Sequence, residues 1–285
     1  MDFVITVNDY YYPLSLSIAE FQASRSKKKP NSAVSFIGIQ GTQGSGKSTC
    51  ASFLKLILEA EYGLSVVVAS IDDFYLTRIE RLRMAEEIHP LFATRGVPGT
   101  HDVAMMHDVF DKAETGIEFT IPLFNKASDD RELQDRWQKI DYAVDILILE
   151  GWCVGIDPQD ETKLNQPVNE LEKIEDVNCV WREYANNALS KDYKELFDRL
   201  TLLISLQAPS FSCVLGWRQL QEEKMIAKLK QAGEDITMAQ TPEQIIRFIS
   251  YYQRLTEHAL ATMHSKADYL LELNEKHQFT ALTTR

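Results

Sequence analysis

The sequence predicts an α/β fold, a three-layer sandwich in which helices cover both faces of a central, mostly parallel sheet. Short apolar runs alternate along the chain with segments whose apolar residues recur at helical spacing. Several of these runs are continuous and β-branched, which is typical of parallel strands that are buried on both faces. The predicted strands cover residues 33–39, 65–71, 144–151, 200–206 and 269–273, the last of these being the final strand.

Capping and stop signals predict helices between these strands. The helix after the first strand is expected to end at Gly63, and a helix from Asp102 is expected to end at Gly116. Thr241 opens a capping box with proline at the first helical position. Further helices are predicted at residues 79–87, 184–197 and 216–231, whereas the polar residues 155–180 are predicted to form a surface excursion.

We predict one domain over residues 31–285, preceded by an N-terminal extension over residues 1–30. Three apolar residues of the extension fall on one face of a short helix that is expected to pack on the main sheet: Leu14, Ile18 and Phe21. Insertions that carry substrate-binding and lid residues are expected at about 75–140 and 152–198.

A phosphate-binding motif follows the first predicted strand. Residues 41–48 read GTQGSGKS and fit the pattern G-x-x-x-x-G-K-[ST], which favours a P-loop NTPase fold. A strand, a glycine loop and a helix start together aim backbone N–H groups and the positive end of a helix dipole at one anion. The alternative is a Gly/Ser-rich turn that only opens a helix. The residues expected to bind the nucleotide are Gly41, Thr42, Gln43, Gly44, Ser45, Gly46, Lys47, Ser48 and Thr49.

The composition limits the partners and the compartment. The chain has 285 residues with 30 Lys+Arg, 42 Asp+Glu and a net charge of -12, which argues against nucleic acid as the main partner. Its widely spaced cysteines are typical of free thiols in a reducing cytosol. The N-terminus lacks the basic region of a signal peptide, and no apolar run reaches the ~18 residues that span a bilayer. We therefore expect a cytoplasmic protein without a membrane partner, either a monomer or a homodimer.

Acidic residues stand at the ends of two predicted strands. Asp72 and Asp73 follow the second strand, and Glu150 ends the third. Ligands of open α/β sheets bind beyond the carboxyl ends of the strands, where one carboxylate can accept a hydroxyl proton and another can support Mg²⁺. The alternative for the two aspartates is a helix cap. The lack of N-K-x-D and D-x-x-G motifs argues against a regulatory GTPase.

The loop and three further segments together resemble the phosphoribulokinase/uridine kinase/pantothenate kinase group of P-loop kinases. These segments are SIDDFY at residues 70–75, PLFN at residues 122–125 and LEG at residues 149–151. The resemblance implies that Asp72 is the general base, with Asp73 at the variable position of the motif. It also places Glu150 near Mg²⁺.

The sequence is most similar to the plant and fungal D-glycerate 3-kinase-like branch of that group. The matching segments are IDDFYLT at 71–77, RGVPGTHD at 95–102, ILEGW at 148–152 and GWR at 216–218. The resemblance implies a glycerate-like acceptor, a small anion that needs cationic or N–H donors. It also implies that Arg218, in the lid region, reaches the phosphates on closure. The alternative for Arg218 is a solvated helix face.

The residues expected to bind the acceptor are Asp73, Tyr75, Arg95, Thr100, His101, Lys126 and Arg131. Arg95 and His101 are the strongest candidates, and the alternative is a structural turn with Arg95 in a surface ion pair. Two segments depart from the family pattern, because Phe124-Asn125 replaces a Tyr-Asp pair and Asp129-Asp130-Arg131 lacks flanking glycines. These departures leave the identity of the acceptor open.

The sequence thus predicts a kinase that uses ATP and Mg²⁺ to phosphorylate a hydroxyl of a small metabolite. The first candidate is D-glycerate or a similar hydroxy acid. Lys47, Asp72 and Arg218 are the expected catalytic residues, and Ser48 and Glu150 the expected metal ligands. One alternative is a uridine, pantothenate or sugar-phosphate kinase with the same machinery. Another is a nucleotide-binding regulator without catalysis, against which the two carboxylates argue.

Overall fold

The structure, a computed structural model, describes residues 3–28, 34–232 and 241–285. Its strands are β1 (Ser35–Gly41), β2 (Val66–Ser70), β3 (Phe119–Ile121), β4 (Phe124–Asn125), β5 (Asp130–Arg131), β6 (Gln138–Ile140), β7 (Ile146–Gly151), β8 (Leu202–Gln207), β9 (Tyr269–Leu273) and β10 (Phe279–Thr284). Its α-helices are α1 (Phe3–Thr6), α2 (Tyr12–Lys28), α3 (Lys47–Tyr62), α4 (Arg78–Glu87), α5 (Val103–Thr115), α6 (Glu161–Leu164), α7 (Glu170–Glu175), α8 (Val180–Ala188), α9 (Lys194–Phe197), α10 (Phe211–Ala232) and α11 (Pro242–Thr262).

The main sheet has the strand order β10-β9-β8-β1-β7-β2, in which all neighbours from β9 to β2 are parallel. β10 pairs antiparallel with β9 at one edge. Because β1 lies inside the sheet between β7 and β8, the loop that leaves β1 sits centrally on the carboxyl edge. β3–β6 and β4–β5 form two small antiparallel sheets outside the main one.

Side chains of the central strands alternate between two apolar clusters, as expected for a sheet that is buried on both faces. Phe36 and Leu147 belong to the cluster formed with α5, α8 and α11. Ile37 and Ile148 belong to the cluster formed with α2 and α3. Helices therefore cover both faces, and the predicted three-layer sandwich with a mostly parallel sheet is confirmed.

The N-terminal helix belongs to the second of these clusters. Leu14 and Ile18 on α2 are fully buried, and the Tyr11 ring stacks on Phe53 of α3 at a centroid distance of 5.4 Å. The predicted helix is present and extends further than its short apolar pattern indicated. The predicted boundary at residues 30–31 lies outside the described residues.

The prediction of a surface excursion over residues 155–180 is wrong in part. This stretch contains α6 and α7, and the Glu172 carboxylate is fully buried. Arg254 on α11 donates to it from Nε at 2.8 Å and from Nη2 at 2.6 Å. Arg254 is 82 residues away in sequence, so the local composition gives no sign that Glu172 is buried against it. The polar residues therefore suggested an exposed segment.

The prediction that residues 269–273 form the final strand is also wrong, because β10 follows it. The turn between β9 and β10 contains neither glycine nor proline, and His277 adopts the left-handed conformation there with φ 61°. Asn274 is the one turn-favouring residue in residues 274–278, and this single signal did not suffice to predict the hairpin.

The cysteines are free, and three of them are buried: Cys50, Cys153 and Cys179. Burial raises the pKa of the Cys50 and Cys153 thiols, so both remain protonated. Of the helices in the described ranges, none is both long and apolar enough to cross a membrane.

Candidate active site

The loop between β1 and α3 has the backbone that its glycines allow. Gly44 and Gly46 are left-handed, with φ of 76° and 95°, a conformation that other residues rarely adopt. A methyl group on Gly41 would lie 2.6 Å from Ser45 Oγ. Glycine is therefore needed at all three positions for the loop to wrap closely around a ligand.

The loop presents polar groups that the protein itself does not satisfy. Three buried side-chain atoms have no hydrogen-bond partner in the structure: Thr42 Oγ1, Gln43 Oε1 and Ser45 Oγ. α3 begins at Lys47, and the first N–H groups of a helix have no partner within it. Buried polar groups without partners are costly, and a phosphate would accept from the hydroxyls and the N–H groups. The loop therefore fits the phosphates of a nucleotide.

Ser48 and Glu150, the two predicted metal ligands, are in contact. The Ser48 hydroxyl donates to Glu150 Oε1 at 2.8 Å, and the Glu150 side chain is buried at the end of β7. Within the described ranges, no group of three or more His, Cys, Asp or Glu is arranged to hold a metal ion. A hydroxyl and a carboxylate fit Mg²⁺, which commonly takes one or two protein ligands together with phosphate oxygens and water.

Asp72 lies in the 3₁₀ turn Ile71–Phe74, directly after β2. Its Oδ1 accepts from the Tyr75 hydroxyl at 3.0 Å, and its Oδ2 accepts from Lys126 Nζ at 2.6 Å. Burial favours a higher pKa for Asp72, but the positive charges of Lys126 and Lys47 outweigh it, so the pKa is lowered. The carboxylate is therefore ionised at neutral pH and lies within the field of the loop lysine.

Asp73 has a different environment from its neighbour. Its Oδ1 accepts from the backbone N–H of Phe124 at 3.2 Å, which fixes β4 to the turn after β2. Burial raises the pKa of Asp73 to about 6, with a further contribution from the Asp72 charge that the Phe124 hydrogen bond opposes. Asp73 thus supports β4, while Asp72 forms the ion pair with Lys126.

His101 is buried behind Tyr75. The two rings stack with centroids 4.4 Å apart, and His101 Nδ1 lies 2.6 Å from the Tyr193 hydroxyl. Burial lowers the pKa of His101 to about 4, although the Asp72 charge acts in the opposite direction, so the ring is neutral at pH 7. His101 therefore orients Tyr75 and supplies no positive charge. Tyr193 belongs to no motif, and nothing in the sequence identified it.

Thr100 stabilises the turn that precedes His101. Its hydroxyl donates to the carbonyl oxygen of Val97 at 2.7 Å and accepts from the N–H of Gly96 at 3.1 Å. A methyl group on Gly96 would lie 2.5 Å from the Tyr252 hydroxyl. The structure thus shows Thr100 bonded within its own turn, and glycine at 96 allows Tyr252 to pack closely.

Two predicted acceptor cations already have carboxylate partners. Arg95 forms an ion pair with Asp129, and its guanidinium lies over the Phe124 ring at 5.4 Å. Arg131 donates to the carbonyl oxygen of Tyr75 at 2.9 Å and pairs with Asp102 at 3.4 Å. Arg131 therefore lies beside the segment that carries Asp72, whereas Arg95 is held against Phe124 and Asp129.

Arg218, the predicted lid residue, lies on α10. It pairs with Glu222 at 2.8 Å, and its guanidinium is 5.8 Å from the centroid of the Phe248 ring on α11. The neighbouring Trp217 lies against the phosphate loop, since a methyl group on Gly44 would be 3.6 Å from Trp217 Cβ.

His277, in the turn between β9 and β10, completes this wall of the loop. Its ring meets the Trp217 ring edge-on with centroids 4.8 Å apart. A methyl group on Gly46 would lie 3.8 Å from His277 Cε1. The sequence offered no signal for this contact, because the histidine lies in a hairpin that was not predicted.

Comparison with known proteins supports the same fold and the same loop. The sequence profile described as Phosphoribulokinase / Uridine kinase family matches residues 36–182. The chain is 32% identical to the uncharacterised kinase mug58 of Schizosaccharomyces pombe over 249 residues, covering 84% of this chain and 85% of that protein.

More distant similarities point to proteins with a named substrate. The chain is 25% identical to the chloroplastic D-glycerate 3-kinase of Arabidopsis thaliana over 244 residues, covering 81% of this chain and 48% of that protein. Its fold matches the solved D-glycerate 3-kinase of Cryptococcus neoformans with a TM-score of 0.75 at 22% identity, covering 95% of this chain and 99% of that one. From the profile match and the S. pombe relative, the chain belongs to the phosphoribulokinase/uridine kinase family and is an ATP-dependent P-loop kinase.

Proposed function

We propose that this kinase transfers the γ-phosphoryl group of ATP to a hydroxyl of a small hydroxy acid, with D-glycerate as the first candidate. The observation that carries the proposal is the position of Asp72. Its carboxylate is ionised, is held at one oxygen by Tyr75 and is affected by the charge of Lys47 in the phosphate loop. A general base of a kinase needs this proximity to the γ-phosphate.

The nucleotide half of the site consists of the phosphate loop together with the Ser48 hydroxyl and the Glu150 carboxylate. The loop N–H groups and Lys47 would hold the β- and γ-phosphates, while Ser48 and Glu150 would hold Mg²⁺. An ion held there would help to neutralise the negative charge of the phosphates. Trp217 lies next to Gly44 and His277 next to Gly46, and the two side chains would limit access of water to this part of the loop.

In the proposed transfer step, the Asp72 carboxylate accepts the proton of the acceptor hydroxyl. The acceptor hydroxyl oxygen forms a bond to the γ-phosphorus as the bond from that phosphorus to the β–γ bridging oxygen breaks. The hydroxyl proton moves to Asp72 Oδ2, and ADP leaves with the electron pair of the broken bond. Catalysis on this scheme is mainly positioning and stabilisation of charge.

An anionic acceptor fits the groups around Asp72. The Lys126 ammonium contacts the base itself, and Arg131 binds the carbonyl oxygen of Tyr75, three residues further along the same segment. A carboxylate is the small group that such cations bind with directed hydrogen bonds. The similarity to the A. thaliana enzyme, which is named for D-glycerate, supports the choice of the first candidate.

The proposal is tested by a coupled ADP-release assay over a panel of acceptors. The panel contains D-glycerate, other hydroxy acids, uridine, pantothenate and sugar phosphates, and Lys47→Met serves as the inactive control. We expect ADP release to be stimulated by D-glycerate or a related hydroxy acid. Stimulation by uridine alone would overturn the choice of acceptor, and the absence of stimulation across the panel would overturn the kinase scheme.

A further inference from the structure

Lys126 stands at the tip of a small hairpin formed by β4 and β5, which we call the Lys126 hairpin (residues 124–131). Its Nζ lies 2.6 Å from Asp72 Oδ2. The lysine side chain is 61% exposed and the aspartate side chain 29% exposed, so the pair lies at the mouth of the site. The ammonium therefore meets the base from the side that is open to solvent.

The lysine occupies the oxygen that the reaction needs. Asp72 Oδ1 already accepts from the Tyr75 hydroxyl, so Oδ2 is the oxygen that remains for the acceptor hydroxyl. An ammonium has donors only, and it lowers the tendency of a carboxylate to take up a proton. Before the acceptor binds, Lys126 thus occupies the oxygen of Asp72 that the acceptor hydroxyl would need to contact.

The hairpin backbone is anchored at both strands, whereas the Lys126 side chain is largely exposed to solvent. Asp73 binds the N–H of Phe124 at 3.2 Å, Arg81 Nη2 donates to the Asp129 carbonyl oxygen at 2.7 Å, and Arg131 binds the Tyr75 carbonyl oxygen. These bonds tie both strands of the hairpin to the segment that carries the base. A lysine on a flexible stem can change partner without moving that frame.

We infer that the carboxylate of an anionic acceptor draws Lys126 away from Asp72 and thereby frees Oδ2 for the hydroxyl proton. This rests on the proposed function. Arg95 and Arg131 are each paired with a protein carboxylate, Asp129 and Asp102, whereas Lys126 is paired with the base. An incoming anion gives the ammonium a second partner at the mouth of the site.

This exchange makes Lys126 the residue that distinguishes anionic from neutral acceptors. A neutral alcohol offers the ammonium no competing charge, so the ion pair with Asp72 persists and the base stays engaged. Water is neutral as well. The same ion pair therefore limits hydrolysis of ATP when no acceptor is bound.

The first test measures ATP hydrolysis without any acceptor. In Lys126→Met, Asp72 has lost its ammonium partner, and we expect hydrolysis to rise by about threefold to tenfold, as for the loss of one ordinary hydrogen bond at a solvent-exposed pair. Lys139→Met is the control, because it removes an exposed lysine on β6, and its rate of hydrolysis should stay near wild type. Unchanged or slower hydrolysis in Lys126→Met would overturn the inference.

The second test compares D-glycerate with glyceramide, which has the same hydroxyls and no charge. For Lys126→Met we expect kcat/KM to fall by about 10- to 100-fold with D-glycerate, and to stay level or rise with glyceramide. Equal losses with both acceptors, or a raised KM for ATP, would overturn the inference, because Lys126 would then serve the fold or the nucleotide. If wild type uses neither acceptor, the proposed function fails, and the hydrolysis assay still decides whether Lys126 blocks the base.

Discussion

Asp72 and Asp73 are adjacent in sequence and differ in chemistry. Asp72 has a lowered pKa and an ion pair with an exposed lysine, whereas burial raises the pKa of Asp73 to about 6 and its oxygen binds a backbone N–H. The first arrangement suits a group that exchanges partners during a reaction. The second suits a group that holds two segments together.

The first prediction at the residue scale concerns replacement of Asp72, the proposed general base. We expect Asp72→Asn to lower kcat by ~10²–10⁴ while the affinity for ATP remains close to wild type, because an amide cannot accept the hydroxyl proton. Steady-state kinetics and ATP titration measure the two effects. The matched variant is Asp73→Asn, whose amide oxygen can still accept from Phe124. A large loss of kcat in Asp73→Asn alone would move the base to that residue.

His101 gives a pH-dependent prediction with a defined sign. Its pKa in the fold is about 4, below its ordinary value of 6.5, so the unfolded chain binds more protons between these two values. Stability from this residue is therefore present above pH 6.5 and is lost as the pH falls towards 4. The total is about 3 kcal/mol at most, from 1.36 kcal/mol for each pKa unit.

Urea unfolding of wild type and His101→Asn across this pH range checks the prediction. The raised pKa of Asp73 acts in the opposite direction, since its stability contribution is lost as the pH rises from about 4 to 6. That contribution is common to both proteins, so it cancels in the difference between the two curves. We expect the wild-type free energy of unfolding to fall more steeply on acidification. Parallel curves would show that His101 is not buried in its neutral form.

At the scale of elements, the ends of helices were predictable from sequence, because they depend on residues that are close together in the chain. The Asp102 side chain accepts from the N–H of Met105 at the start of α5, and Gly116 is left-handed at its end, as the sequence indicated. The Lys126 hairpin was not predicted, because its strands are two residues long and its anchors come from remote segments. Lys126 was expected near the acceptor, but its contact with the base depends on Arg81 and Asp73.

Asp129 tests how the hairpin is held. Its carboxylate pairs with the fully buried Arg81 at 2.9 Å and with Arg95. We expect Asp129→Asn to lower the free energy of unfolding by about 1–3 kcal/mol, because a buried guanidinium loses its counter-charge. Asparagine tolerates the left-handed backbone at this position, φ 55°, so backbone strain does not contribute.

The control for Asp129 is Asp135→Asn, an exposed carboxylate that follows the same hairpin. Urea unfolding of both variants should show a loss for Asp129→Asn and a change within about 0.5 kcal/mol for Asp135→Asn. Equal effects on the two would contradict the role of the Arg81–Asp129 pair.

At the scale of the whole molecule, the mostly parallel sheet with helices on both faces and the position of the loop were predictable, and the attachment of distant segments was not. The P-loop motif and the apolar runs define the α/β sandwich because each depends on residues that are close in sequence. The contact of α7 with α11 depends on Glu172, which binds Arg254 across the fold and Arg182 on α8. Such a contact is visible only after the chain has folded.

Glu172 therefore gives the largest stability effect that we expect. Glu172→Gln leaves the buried Arg254 without its carboxylate partner, while Arg182 keeps Asp176, and the free energy of unfolding should fall by about 3–5 kcal/mol. Glu170→Gln, which changes an exposed carboxylate two residues earlier on α7, is the matched control and should change little. Urea unfolding distinguishes them, and similar stabilities of the two variants would contradict a buried ionic link between α7 and α11.

The central claim is that phosphate passes from ATP to a hydroxyl of a small acid at Asp72. Incubation with γ-labelled ATP and D-glycerate, followed by mass spectrometric identification of the labelled product, tests it most directly. We expect labelled phosphoglycerate in equal amount to ADP with wild type, and almost none with Asp72→Asn. Release of ADP and labelled inorganic phosphate, with no labelled acid from any hydroxy acid offered, would contradict the claim.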